Sequence, residues 1–289
     1  MKLLALSGGV DSMVLAHLYK DEPDLILAFV NYNFRPDTAI DKALVTAFAT
    51  THNLKLEVLE LDGTKPRGNL QAWARTIRYE FFATLYRRYG CTELLVGHHK
   101  DDLLETCLMQ AQRNPLKLFY GLAPQQQLFA MNIVRPLLEH FWKHELYAYA
   151  ARHQLRFHED FTNFEDHYQR NYLRNRYLKG LDPVVKQHLL DQFAAHNRRH
   201  AHQRQVVAGE FQAWHAANFN LDVFKTVTNP EALLVQFVNC HVKPVNLNRH
   251  IIANLLTFVR SRHSHKGFLL SGRYQIRKVN NHLQVVTPS

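Results

Sequence analysis

Residues Leu3 to Tyr19, LLALSGGVDSMVLAHLY, permit few folds, because an apolar run, a Gly-Gly turn and an amphipathic segment follow one another without a gap. Leu3 to Leu6 reads as a short buried strand, and Val10, Met13, Val14 and Leu18 then recur at helical spacing on one face. Between them lies Ser7-Gly8-Gly9-Val10-Asp11-Ser12. Two residues without a Cβ let backbone approach a ligand closely, and the amides of a helix N-terminus favour an anion. The stretch predicts a phosphate-binding loop between a core strand and a core helix, with Ser7 and Ser12 adding hydroxyl donors. Asp11 would repel a phosphate, so its expected role is to hold the Mg²⁺ that accompanies a nucleoside triphosphate. The loop is not a Walker A loop, which needs a Gly-Lys-Ser/Thr ending. A capped Gly-Gly turn joining two core elements is the plainer alternative.

The same alternation continues downstream. Leu25 to Tyr32 reads as a second buried strand, Thr38 to His52 as a helix, Leu54 to Val58 as a third strand near a sheet edge, and Asn69 to Arg88 as a long amphipathic helix. Leu94 to Val96, a helix over 101–113, the short strand Ile133-Val134 and a helix over 141–153 complete the series. Strands alternating with helices imply parallel crossovers. The expected class is therefore α/β: a doubly wound, mainly parallel sheet with a basic, mostly helical C-terminal domain. Ligands of such sheets bind outside the carboxyl ends of the strands. That rule should bring the phosphate loop, Asn31 to Arg35, Gly97 to Asp102 and the segment around Arg135 to one crevice. There Asp102 and Glu105, on one face of a helix start, could grip Mg²⁺ or an ammonium group. Helix capping by Asp101 or Asp102 is the alternative.

Composition sets outer limits. Among 289 residues, 46% are hydrophobic, enough for a sizeable core, and the longest apolar run, Leu25 to Val30, is far too short to span a bilayer. A first strand starting at Lys2 or Leu3 leaves no room for a leader, so a cytoplasmic protein is expected. Cys91, Cys107 and Cys240 form no C-x-x-C pair, and the 19 histidines include no H-E-x-x-H helix, so neither a disulfide framework nor a structural zinc site is indicated. Charge is uneven: residues 1–180 hold 22 Lys/Arg against 20 Asp/Glu, a net of +2, whereas residues 181–289 hold 13 against 5, a net of +8. A basic appendage on a nearly neutral nucleotide-binding part fits a polyanionic partner.

The loop resembles the SGGxDS signature of the N-type ATP pyrophosphatases, which adenylate a carbonyl oxygen and then displace AMP with a nitrogen or sulfur nucleophile. Further segments narrow the resemblance. His98-His99-Lys100-Asp101-Asp102-Leu103-Leu104-Glu105-Thr106, Arg135 to Leu138 (R-P-L-L), Arg170 to Arg174 (R-N-Y-L-R) and the helix Asn69 to Tyr79 with its A-R-x-x-R-Y pattern are similar to the tRNA(Ile)-lysidine synthetases. The sequence departs from that family after the second strand, where Asn31-Tyr32-Asn33-Phe34-Arg35 replaces N-H-G-L-R, and in Arg113-Asn114-Pro115-Leu116-Lys117.

What the resemblance implies is a ligase that joins lysine to the wobble cytidine of a CAU-anticodon isoleucine tRNA through an adenylated base, with ATP and Mg²⁺. Ser7, Gly8, Gly9, Val10, Asp11 and Ser12 would bind the nucleotide, with Asp11 on Mg²⁺. Asp102, Glu105 and Arg113 would hold lysine and, with Asp11, carry the chemistry. Arg75, Arg78, Arg170, Asn171 and Arg174 would contact tRNA. The expected domains are a catalytic 1–180, a helical linker 181–218 and a small basic tRNA-binding 219–289, the last ending in a hairpin with Asn280-Asn281 at its turn. Within it and the linker, Arg198, Arg199, Arg204, Arg260, Arg262, Lys266, Arg273, Arg277 and Lys278 are expected phosphate contacts. Sulfur transfer to a tRNA base and a non-catalytic RNA-binding module are the competing readings. The first generally needs paired or persulfide-forming cysteines, which this chain does not offer.

Overall fold

A computed structural model describes residues 1–34, 38–64, 66, 68–113, 117–159, 173, 177–241, 247–261, 267–271 and 274–286. They divide into two compact units: Met1–Cys107 with Gly121–Gln187, and Leu108–Tyr120 with His188–Ser289.

The first unit is built on a six-stranded sheet. Its strands are β1 (Lys2–Leu6), β2 (Leu25–Asn31), β3 (Lys55–Glu60), β4 (Glu93–Leu95), β5 (Gln125–Leu128) and β6 (Met131–Val134), in the order β3-β2-β1-β4-β6-β5. All neighbours are parallel except β5 and β6. Side-chain alternation splits the core between the two faces. Leu4, Leu6, Leu27, Phe29 and Leu95 pack with helices α1 (Val10–Leu18), α2 (Thr38–Thr51) and α5 (Lys143–Arg152), whereas Leu3, Ile26, Ala28 and Leu94 pack with Tyr79, Phe82 and Leu85 of α3 (Leu70–Arg88). β3 is an edge strand, as its alternating charged residues imply. The order runs from β1 outward through β2 and β3 on one side and restarts at β4 on the other. The switch point between β1 and β4 is where a doubly wound sheet opens its crevice.

One feature of the first unit differs from the sequence reading. A fifth strand, β5, precedes Met131 and pairs antiparallel with β6, with a two-residue turn at Phe129 and Ala130 whose φ values are 52° and 58°. Gln125-Gln126-Gln127 carries no apolar alternation, and neither turn residue is Gly or Asn, so no local signal marks this hairpin. Helix α4 begins at Lys100 and runs to Arg113.

The second unit packs helices α6 (Pro183–Arg199, of which the unit takes the part from His188), α7 (Ala201–Ala216), α8 (Leu221–Lys225), α9 (Pro230–His241) and α10 (Arg249–Arg260) with a three-stranded antiparallel sheet. Its core centres on fully buried Trp214, Leu233, Phe237, Leu255 and Ile276. The segment expected as a helical linker holds two helices, α6 and α7, which meet at His200. The terminal hairpin has Asn280 and Asn281 at positive φ, 48° and 63°, as a two-residue turn of that type demands. A strand missed in the sequence, β7 (Phe268–Ser271), adds to β8 (Tyr274–Val279) and β9 (His282–Val286).

Candidate active site

The loop after β1 is held by its own side chains. Ser12, 5% exposed, accepts the amide of Ser7 (3.1 Å) and donates to the carbonyl of Gly9 (3.0 Å), and the Ser7 and Ser12 hydroxyls lie 3.0 Å apart. Gly9 is the extended N-cap of α1, and the first helical bond runs from Met13 to Gly9. The amides of Val10, Asp11 and Ser12 therefore precede the helical ladder and form an anion seat. Gly8 sits at φ +84°, and a Cβ there would stand 3.4 Å from Asp41 Oδ1. Asp41 pairs with His158 Nδ1 at 2.7 Å, while the His158 amide donates to the Gly8 carbonyl at 3.0 Å. Asp41 and His158 thus brace the loop from behind, a support that no local pattern marks.

Across the switch point, the segment after β4 presses directly on this loop. A Cβ on Gly97 would lie 3.3 Å from the backbone carbon and oxygen of Asp11, so only a glycine lets the two segments approach this closely without displacement. Next comes His99, 3% exposed, with Nε2 3.7 Å from Asp11 Oδ1 and 3.5 Å from Asp102 Oδ2 and Nδ1 3.6 Å from Asp101 Oδ2. One buried imidazole is wedged among three carboxylates.

The two adjacent aspartates of α4 have different work. Asp101 ties elements together: one oxygen accepts the amide of Lys143 at the start of α5 (2.8 Å) and the other accepts Lys186 Nζ (2.8 Å). Burial pushes its pKa up, but the Lys186 ammonium and the Lys143 amide outweigh this and hold it below the ordinary carboxylate value. Asp102 accepts the His99 amide at 3.1 Å, the N3 half of a capping box. Capping and a ligand role are compatible, since a carboxylate offers further lone pairs. Glu105 follows on the same face, fully buried.

The sequence-derived residues are therefore partly assembled. Ser7 to Ser12, Asp102 and Glu105 belong to the first unit, with His99 as the link between Asp11 and Asp102. Arg113 is exposed at the far end of α4, in the segment assigned to the second unit. Arg75 and Arg78 are exposed on α3, and Arg75 lies over the Tyr79 ring with 4.6 Å between guanidinium carbon and centroid. Arg170, Asn171 and Arg174 lie outside the described residues, as do Arg35, Asn114 to Leu116, Arg262, Lys266 and Arg273. Arg135 is buried and directed at β5, donating to the Ala123 carbonyl (2.6 Å) and Gln126 Oε1 (3.1 Å). Lys278 is likewise engaged internally, donating to Ser261.

At the end of β2, Asn31 donates to Glu60 at 3.0 Å, and the following Tyr32 donates to the Ala74 carbonyl at 2.8 Å. The rings of Tyr32 and Phe34 stack 5.5 Å apart beside Trp73. Sequence reasoning missed Lys143 altogether. Its ammonium lies 2.7 Å from Asp11 Oδ1, a pairing across 132 positions of chain. A cleft of about 430 Å³ lined by Asp21, Asp24, His52 and Asn53 lies at the amino ends of the strands and contains none of these groups.

With this geometry in place, the comparisons are decisive. The PP-loop domain family matches residues 1–181. A tRNA(Ile)-lysidine synthase of Mycoplasmopsis pulmonis is 32% identical over 99% of this chain and 99% of its own length, and one of Mesomycoplasma hyopneumoniae is 33% identical over 96% and 93%. The chain belongs to the tRNA(Ile)-lysidine synthase family. Among solved structures, a tRNA thiolase of Methanococcus maripaludis has a similar fold, with a TM-score of 0.53 and 18% identity over 70% of this chain and 72% of that one. Among the described residues no helix is long and apolar enough to cross a membrane.

Proposed function

We propose that this chain attaches lysine to the wobble cytidine of a CAU-anticodon isoleucine tRNA at the expense of ATP, in the cytoplasm. One observation carries the reading: in a chain that aligns with lysidine synthases over nearly its whole length, the phosphate loop and the acidic α4 start meet at the switch point, through Gly97 against Asp11 and His99 between Asp11 and Asp102. These contacts support a nucleotide-activating half beside an amine-holding half.

In the first step the C2 carbonyl oxygen of cytosine attacks the α-phosphorus of ATP. Pyrophosphate leaves toward the amides of Val10, Asp11 and Ser12, which offset its charge. In the second step the neutral ε-amine of lysine attacks C2, loses a proton and expels AMP with the former carbonyl oxygen. Asp102 and Glu105 orient the incoming lysine through its charged groups. Asp11 suits Mg²⁺, which takes one or two carboxylates together with substrate phosphates rather than an all-protein cage. Among the described residues no group of three His, Cys, Asp or Glu makes such a cage. When bound, Mg²⁺ would supply charge neutralisation on the leaving pyrophosphate. Residues 1–180 would carry this chemistry, while residues 219–289, with Arg75, Arg78, Arg170, Asn171 and Arg174, would position tRNA by phosphate and shape contacts.

The test is incubation with ATP, Mg²⁺, radiolabelled lysine and bulk tRNA. Label in acid-precipitable RNA, abolished by omitting ATP, is expected. Label absent from RNA while sulfide or ammonia is accepted instead would assign the chain to another reaction.

A further inference from the structure

We propose that Lys143 is the phosphate-binding lysine of this site. The loop Ser7 to Ser12 contains no lysine of its own, yet an ammonium stands at its mouth: Lys143 Nζ lies 2.7 Å from Asp11 Oδ1, on the first turn of α1 where the seat of unladdered amides begins. The location breaks a local rule. Lys143 is the first residue of α5, where the helix macrodipole disfavours a cation. Its backbone is fixed there by the 2.8 Å bond from its amide to Asp101, and the helix start by the 2.7 Å bond from the Trp142 amide to Glu145. The Nζ lies 5.3 Å from the Tyr147 ring centroid, which narrows its directions of approach. About a third of the side chain (34%) is exposed, so a ligand reaches it without rearrangement of the core.

Lys143 and His99 both approach the same oxygen of Asp11, Oδ1. The carboxylate thus stations the ammonium beside the anion seat and keeps a second oxygen for a cation. A triphosphate arriving there meets amides from α1 and an ammonium from α5, the pairing that a Walker loop obtains from one segment and this fold obtains from two.

The inference rests on the reading of the loop as an ATP site, and the experiment separates the two. Calorimetric titration of a non-cleavable ATP analogue with Mg²⁺, and of lysine separately, would be run on the full chain and on Lys143→Gln, Lys143→Met and Lys143→Arg. Loss of a charge-assisted contact should weaken nucleotide binding about tenfold to a hundredfold in the Gln and Met variants, with Arg, which keeps the charge, closer to wild type than either. Lysine affinity should not change. The Met variant keeps the stem against Tyr147 and gives the answer should Gln lower stability. Nucleotide affinity unchanged in both, or increased because Asp11 is released, overturns the assignment of Lys143 alone. No nucleotide binding by the wild type would overturn the ATP reading and this inference with it.

Discussion

Asp102 caps a helix and, under the proposed function, holds lysine with the same carboxylate. Its bond to the His99 amide caps α4, so replacement by a side chain without an acceptor would loosen the helix start as well as empty the site. Asn keeps an oxygen for that amide and removes the charge. Asp102→Asn is therefore expected to bind ATP as wild type does while lysine incorporation falls by at least about a hundredfold, the cost of an ammonium losing its charged partner. Equilibrium nucleotide binding and labelled-lysine transfer, measured side by side, check it; wild-type transfer would remove Asp102 from the mechanism. Gly8 tests the loop itself. With φ at +84° and Asp41 at 3.4 Å from a would-be Cβ, Gly8→Ala should destabilise the first unit by about 1–2 kcal/mol and weaken ATP binding. A denaturant midpoint equal to that of the wild type would show that the loop has another low-energy conformation.

At the level of elements, the packing of α1 on α5 carries a pH dependence. His17, in the last turn of α1, contacts Tyr149 (Nδ1 to hydroxyl, 3.0 Å) and the His153 ring of the segment closing α5. Burial first, then the charges of His153, Lys20 and His52, hold its pKa below the ordinary histidine value of 6.5. Folding thus favours the neutral ring. The stabilisation is complete above about pH 6.5 and is lost as pH falls through the lowered native value. The urea midpoint of the wild type should decline on acidification from about pH 7.5 to 5 more steeply than that of His17→Gln; parallel slopes would contradict this. Thiol reactivity reads the same packing elsewhere. Burial pushes Cys107 in α4 up to about 12 and raises Cys91, whereas Cys240 is exposed. An aromatic disulfide reagent should modify Cys240 rapidly in the native protein and the other two only on unfolding.

At the scale of the whole molecule, what was legible in the sequence was what neighbouring residues encode. β1, the Gly-Gly loop and α1 are contiguous, and the Asn280-Asn281 turn states its own conformation. The switch point followed from alternation of strands and helices. The hairpin β5–β6 escaped because its three glutamines have no apolar face and because Phe129 and Ala130 accept positive φ that tertiary context imposes. Lys143 escaped for a different reason. Its partner is 132 positions away, and only the assembled sheet places the start of α5 beside the end of β1. Arg135 shows the converse, a residue in a family-like motif whose guanidinium is directed at β5.

In the proposed reaction the cytosine oxygen leaves with AMP while a lysine nitrogen takes its place. The most direct measurement is a single-turnover reaction on tRNA carrying oxygen-18 at C2 of the wobble cytidine, with mass analysis of the released nucleotide and of the digested RNA. One oxygen-18 in AMP, pyrophosphate as the other product and lysine in the RNA are expected. Oxygen-18 retained in the RNA, or ADP and phosphate in place of AMP and pyrophosphate, would contradict it.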